Sequence, residues 1–432
     1  MDANDNPILA FLAATDPGQP PGAAQYVARS NSLQDALDVG LRPMARSRVL
    51  LVGQTGIGKS TEIRALIASK LAASHTVLVP PVDQDVDLSV ADWTDFLVYA
   101  AGFVLTTMGR GIMAKALEEP VLEAVDRLSR ALAPREERKI REESQDDPAA
   151  GYKSTMAAAF GMPAGPSVRK TIEKTVAVGG PPEPTISQRF RNDTKAVHRQ
   201  IAGAQAQFWD LAKGVFTALE RCTGKPVVVV LDGLEKLSVS AATELFSVRG
   251  NLLANWPTRL LVTGPLGMTA EPWFTEAEER LTAVEHLRAL PGQAGLEFMM
   301  AIAESRRALA VMAEEDVLEQ ISWSGGIPRQ FLQLLTRAAQ DAAAAGLGHV
   351  PTEFHHRARF RLAQRWQYQL EPDDMKALAS PLDQLNKHTR NRLLRVGALI
   401  EYDQANGSLT WKINPLVQLL LEATRTESKD NA

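Results

Sequence analysis

The sequence predicts an α/β fold: a parallel β-sheet flanked by helices, then a helical region, then a small C-terminal domain of helices and one hairpin. Three observations carry this. Val49–Val52 and Val227–Leu231 are continuous apolar, β-branched runs, as expected of strands buried on both faces. A glycine-rich loop opening into a helical pattern follows the first run at once. Residues 352–425 read helix, helix, helix, strand, turn, strand, helix.

The chain of 432 residues is long enough for two or three cores. A hydrophobic share of 45% and a charged share of 23% are those of an ordinary globular protein. A net charge of -4 gives no global attraction for nucleic acid, so any such surface must be local. The single cysteine, Cys222, excludes an intrachain disulfide framework and suits a reducing compartment. The start of the chain is acidic where a secretory signal is basic, and the longest apolar stretch, Phe96–Met108, is too short to span a bilayer. The expectation is a cytoplasmic protein with no membrane partner.

Residues 1–24, rich in Ala, Pro and Gly, are expected to be a flexible arm, with Ile8, Leu9, Phe11 and Leu12 as anchors for a short docked helix. A core domain is assigned to 25–290. Tyr26–Arg29 leads into a helix starting near Ser32 and stopped by Gly40, which either packs beside the base of a nucleotide or serves only as a connector. After the Val49–Val52 strand, Gly53-Gln54-Thr55-Gly56-Ile57-Gly58-Lys59-Ser60-Thr61 contains G-x-x-x-x-G-K-[ST], the phosphate-binding P-loop. Its glycines let backbone N–H groups crowd against phosphate oxygens where a Cβ would clash. Lys59 is placed for the terminal phosphates, Ser60 for Mg²⁺, and the helix start aims its positive end at the anion.

A second strand is read at Thr76–Val79. The alternating Asp83, Asp85 and Asp87 lack the glycine and distal Glu of a calcium loop, so a solvated loop is expected. Helices fill 90–133. Charges of both signs and then Gly, Ala and Pro dominate 134–184, which is read as a flexible insertion holding a hairpin at Thr155–Met162 and Val168–Val178. One long helix is expected over about 185–221.

Val227–Leu231 ends in Asp232, where a central strand meets the phosphates, so Asp232 is placed to hold Mg²⁺. Glu235 is placed to orient or deprotonate an attacking water. Thr263 closes a third buried strand and is either a contact to the terminal phosphate or water, or an ordinary strand-end residue. Arg280 is a weaker candidate for reaching a neighbouring subunit's phosphate. A helical lid is assigned to 291–350, with Gly325-Gly326-Ile327-Pro328-Arg329 breaking the chain and starting a new helix. From there Arg329 reaches the phosphates if the lid folds over them.

The order of elements in 351–425 is that of a winged helix, with 426–432 as a disordered tail. Between His355 and Arg395 nine basic residues face four acidic ones, and Lys387, Arg390, Arg392 and Arg395 stand on the presumptive recognition helix. That basic face suits phosphate contacts, yet a solvated face on a protein-docking module explains it equally.

Together the P-loop, the Val227–Glu235 strand end, the strand closing at Thr263, the Gly-Gly-Ile-Pro-Arg element and the winged helix resemble bacterial P-loop ATPases of the STAND and AAA+ type, near the origin-recognition-like branch. The resemblance covers most of 25–425. It implies a P-loop NTPase core, helical lid and winged helix acting as an ATP- and Mg²⁺-dependent switch that assembles into homo-oligomers. It also implies a separate effector partner, as in signalling or phage-defence systems. A DNA-acting ATPase (initiator, transposition regulator or loader) and a scaffold that never hydrolyses are the alternatives. One departure stands out: Gly233 follows Asp232 where many AAA+ proteins carry a second acid, which implies slow turnover. No Asn-Lys-x-Asp guanine-reading motif is found, which favours ATP.

Overall fold

The computed structural model describes residues 6–18, 21–42, 46–108, 119–132, 185–403 and 408–430. The expected insertion at 134–184, with its hairpin, lies outside these residues.

Strands β1 (Arg48–Gly53), β2 (Thr76–Leu78), β3 (Val227–Leu231), β4 (Arg259–Pro265) and β5 (Ala283–Leu287) form one parallel sheet in the order β2-β3-β4-β1-β5. Successive side chains of a strand point to opposite faces, and the two cores divide accordingly. Leu50, Val52, Val227, Val229 and Leu231 join the core beneath helices Trp93–Met108, Glu119–Leu132, Ile186–Ala202 and Gln205–Thr223. Val49, Leu51, Val228 and Val230 face Leu37 and Leu41 of helix Gln34–Leu41 and Ile63 and Leu66 of helix Lys59–Leu66. With both faces covered, the strands have no polar face to show, which is why they read as continuous apolar runs.

The lid comprises helices Gly292–Ser305, Glu314–Ser324 and Pro328–Ala344. Between the last two, Gly325 (φ 59°) and Gly326 (φ 76°) turn the chain through left-handed backbone that other residues adopt only with strain. The winged helix follows: helices Thr352–Ala363, Pro372–Leu378 and Lys387–Val396, antiparallel strands β6 (Leu399–Asp403) and β7 (Leu409–Ile413), and helix Pro415–Asp430.

Residues Pro7–Ala14 form the expected short docked helix, capped by the Asn6 side chain, with Ile8 and Phe11 buried in the lid core. Four expectations change. Gly40 does not stop its helix, which runs to Leu41; a Cβ there would lie 3.0 Å from a Val49 methyl, so glycine serves close packing on β1. The single helix over 185–221 is two, broken at Gly203–Ala204, with a further kink at Asp193. The 83–87 loop is not simply solvated: Asp85 is buried and accepts from Tyr99 Oη (2.6 Å) and Arg191 Nε (2.8 Å), and burial beside that carboxylate pushes the Tyr99 phenol far up. Finally, residues 426–430 continue the last helix, since no breaker follows Pro415.

Candidate nucleotide-binding site

The order of the sheet puts β4 between β1 and β3, so the carboxyl ends of all three converge, the place where open α/β sheets hold ligands. Gly56 (φ 83°) and Gly58 (φ 112°) give the P-loop its turn, and the helix begins at Lys59. Lys59 is 4% exposed, and its Nζ donates to the carbonyls of Gly53 (2.8 Å) and Gln54 (3.1 Å). Burial lowers its pKa, while Glu235 and Asp232 act to raise it. Ser60 bonds to the Asp232 carboxyl, which burial nonetheless pushes up. The pair expected to share Mg²⁺ is thus adjacent, and a hydroxyl beside a carboxylate is a donor set suited to that hard cation.

Thr263 connects the ends of β3 and β4. Its Oγ1 accepts from the amides of Gly233 (2.9 Å) and Leu234 (3.2 Å) and donates to Glu235 Oε2 (2.9 Å). A hydroxyl has one proton and two lone pairs, so nothing is left over for a phosphate or water. Burial raises the Glu235 pKa, but the Lys59 charge and hydrogen bonds from its own backbone and from Thr263 outweigh it, and the carboxyl ends below its ordinary value. Gly233 (φ 98°) also explains the missing second acid: a Cβ would meet the Asp83 side chain at 2.5 Å, and Asp83 pairs with Lys236 at 2.5 Å.

The lid meets the loop through Arg329, whose amide donates to the Gly56 carbonyl (3.2 Å) while a Cβ on Gly56 would lie 2.7 Å from that of Arg329. Arg329, Lys59, Ser60 and Glu235 line one cleft. Val27, Phe298, Ile302 and Leu332 give it an apolar compartment, so the segment before β1 contributes to the cleft as well as connecting.

Two cleft residues escaped the sequence reading. Arg29 is 6% exposed and donates to the carbonyls of Ile57 (2.6 Å) and Arg288, above the Phe298 ring; burial pulls it down to about 10. Arg306 is 5% exposed, its Nε has no partner among the described residues, and burial lowers it. Phe298, Ile302 and Arg306 recur every fourth residue, the only sequence signal of a shared helix face.

Gln54 and Arg280 point elsewhere. The Gln54 side chain leaves the loop for the winged helix, donating to the carbonyl of Leu399 (2.5 Å) and accepting from the amide of Glu401 (3.4 Å). Thr55 is exposed on the loop, outside the first cleft, and lines a second one. Arg280 donates to the carbonyls of Phe246 (3.3 Å) and Ser247 (3.2 Å) and pairs with Glu276, so it is held within its own chain and not extended toward a neighbour.

Fold and site together define a P-loop nucleotide-binding protein with a helical lid and a winged helix. No family model matches the chain, and no curated protein does. Among solved structures it is similar to Cdc6p from Pyrobaculum aerophilum, with 11% identity, 97% of this chain and 98% of that one covered, and a TM-score of 0.40. It is similar also to the Aeropyrum pernix ORC2 protein, solved as ADPNP–ADP complexes (12%, 95% and 95%, 0.40), and to the Thermotoga maritima RuvB branch migration motor (13%, 95% and 98%, 0.37). Among the described residues no helix is long and apolar enough to cross a membrane.

Proposed function

We propose that the chain is an ATP-binding and ATP-hydrolysing switch whose nucleotide state is read out by its winged helix. The observation that carries this is Gln54, a P-loop residue whose side chain is bonded to β6 rather than turned into the loop. Arg288 adds ion pairs to Glu401 (2.6 Å) and Asp403 (3.1 Å), and Tyr402 Oη donates to the Gly325 carbonyl (2.7 Å) at the lid hinge. Phosphates seated in the loop therefore act on groups that hold the winged helix.

Chemically, Gly53–Thr61 holds the phosphates, Lys59 neutralises their charge, and Ser60 with Asp232 holds Mg²⁺, which supplies charge neutralisation when bound. Glu235 orients the attacking water, with Thr263 as the positioning residue that fixes its carboxylate, and Arg329 brings the lid's charge to the terminal phosphate. A depressed Glu235 makes a weak base, in keeping with slow turnover. Assembly on ATP and a separate protein effector, in a STAND-like signalling or phage-defence setting, follow from the resemblance above. The DNA-acting alternative is less favoured. Arg392 is occupied by Glu371 (3.0 Å) and Asp374 (2.6 Å), Arg390 lies over Trp411, and helix Lys387–Val396 packs against Leu266–Ala270 of the core.

The test is the solution mass and ATP turnover of the full chain with no nucleotide, with ADP and with a slowly hydrolysed ATP analogue. Growth of a defined oligomer with the analogue alone, absent in Lys59→Ala, supports the switch. Absence of ATP binding removes it.

A further inference from the structure

Arg329 lines a second cleft as well. Its walls are Gln54 and Thr55 of the P-loop, the start of helix Pro328–Ala344, and the winged helix around Leu394–Gly397. Three arginines line it, Arg329, Arg365 and Arg395, and no Asp or Glu does.

Arg365 lies 3.8 Å from the Trp366 ring centroid and donates to the Gln333 and Gln330 side-chain carbonyls at 3.3 Å each. Those two long bonds leave most of its five N–H donors unused. Burial pulls it to about 10, and no carboxylate opposes that shift. The side chains of Arg329 and Arg395 have no hydrogen bond or ion pair among the described residues. Spare guanidinium donors, with no carboxylate among the lining residues, suit an anion. Guanidinium forks match phosphate oxygens two at a time.

We propose that this cleft, on the other side of the P-loop from the first, is a second binding site for a small phosphate-bearing anion. Two contacts favour a small molecule over a nucleic-acid strand. The reciprocal Gln330–Asn414 amide pair (3.0 Å each way) and the Gln54–Leu399 bond tie the lid and the loop to the winged helix through Gln330, Asn414 and Gln54, which themselves line the cleft. Because its walls belong to loop, lid and winged helix, the bound anion fastens all three together.

The test uses the full-length chain carrying Lys59→Ala, which disables the P-loop, with inorganic pyrophosphate as probe in calorimetry at low salt. The expected result is saturable binding that Arg365→Met with Arg395→Met weakens at least about tenfold, as charge-assisted contacts imply. Arg395→Met alone, at an exposed position that folding does not need, should weaken it several-fold. In the otherwise unchanged chain the same pair of substitutions should leave nucleotide binding at the P-loop intact. No pyrophosphate binding by the Lys59→Ala chain, or equal binding by the double variant, overturns the proposal. A short single-stranded oligonucleotide is the second arm. Its failure to displace pyrophosphate supports a small-molecule site, and displacement with a steep salt dependence overturns that assignment.

Discussion

The hydroxyl of Thr263 gives its only proton to Glu235, 2.9 Å away, while its lone pairs hold the amides of Gly233 and Leu234. The end of β4 thereby sets where the carboxylate beyond β3 points. Thr263→Val should leave the Leu234 amide without its acceptor, the Gly233 amide keeping the Asp232 carboxyl (3.0 Å), and cost about 1–3 kcal/mol of stability. It should also lower turnover more than nucleotide affinity. Chemical denaturation and a kcat-against-KM comparison check both, and unchanged turnover in a folded variant would remove the positioning role.

Glu235→Gln keeps the shape and removes the charge. Turnover should fall by about 10²–10⁴-fold, the span of a lost general base, with ATP affinity retained. A chain that hydrolyses ATP equally well with and without the carboxylate places the base elsewhere.

Gln54→Ala deletes the bonds from the P-loop to β6. Each is worth about 0.5–1.5 kcal/mol, so hydrogen exchange at Leu399–Asp403 should quicken several-fold while nucleotide still binds. Exchange that stays slow would mean that Arg288 and Tyr402 suffice to hold the winged helix.

Arg306 lies eight residues beyond Phe298 on one helix face, about 12 Å along the axis. Phe298 sits beside Arg29, which is bonded to the P-loop carbonyl of Ile57, so Arg306 would lie farther from the phosphates, where the base of a bound nucleotide is expected. Arg306→Met should weaken ATP about tenfold and leave inorganic tripolyphosphate unaffected. Equal loss of both would make the residue structural.

His198 Nδ1 and Asp95 Oδ2 lie 2.6 Å apart, with Asp92 and Arg249 as charged neighbours. The bond to Asp95 raises the histidine, and burial raises the carboxyl. A group whose folded pKa is raised stabilises below its unfolded value and loses that effect as pH climbs through the folded one. The histidine's contribution should therefore be present near pH 6 and fade above the ordinary histidine value of 6.5, and the raised Asp95 pKa acts with the same sign at lower pH, favouring the fold as the carboxyl is protonated. Unfolding curves of His198→Ala should lose this slope; an unaltered slope would assign it to other groups.

The loop, the two carboxylates that follow β3 and the buried strands were legible in the sequence because each rests on neighbours in the chain. Phosphate cradling needs contiguous backbone, and a doubly buried strand writes its burial as an unbroken apolar run. What stayed hidden depends on distant partners. Asp85 reads as solvated because Tyr99 and Arg191, 14 and 106 residues away, are what make it buried. The turn of Gln54 away from the phosphates is set by Leu399, 345 residues on. Gly40 is a helix stop by local rules and a packing contact in three dimensions.

One arginine, Arg329, borders both clefts. One charge cannot serve two anions fully, so the occupants proposed for the two clefts would oppose each other. Linkage requires that opposition to be equal in both directions. Whatever factor a second-cleft anion takes from ATP affinity, ATP takes from that anion, so the cellular level of one sets the working threshold of the other.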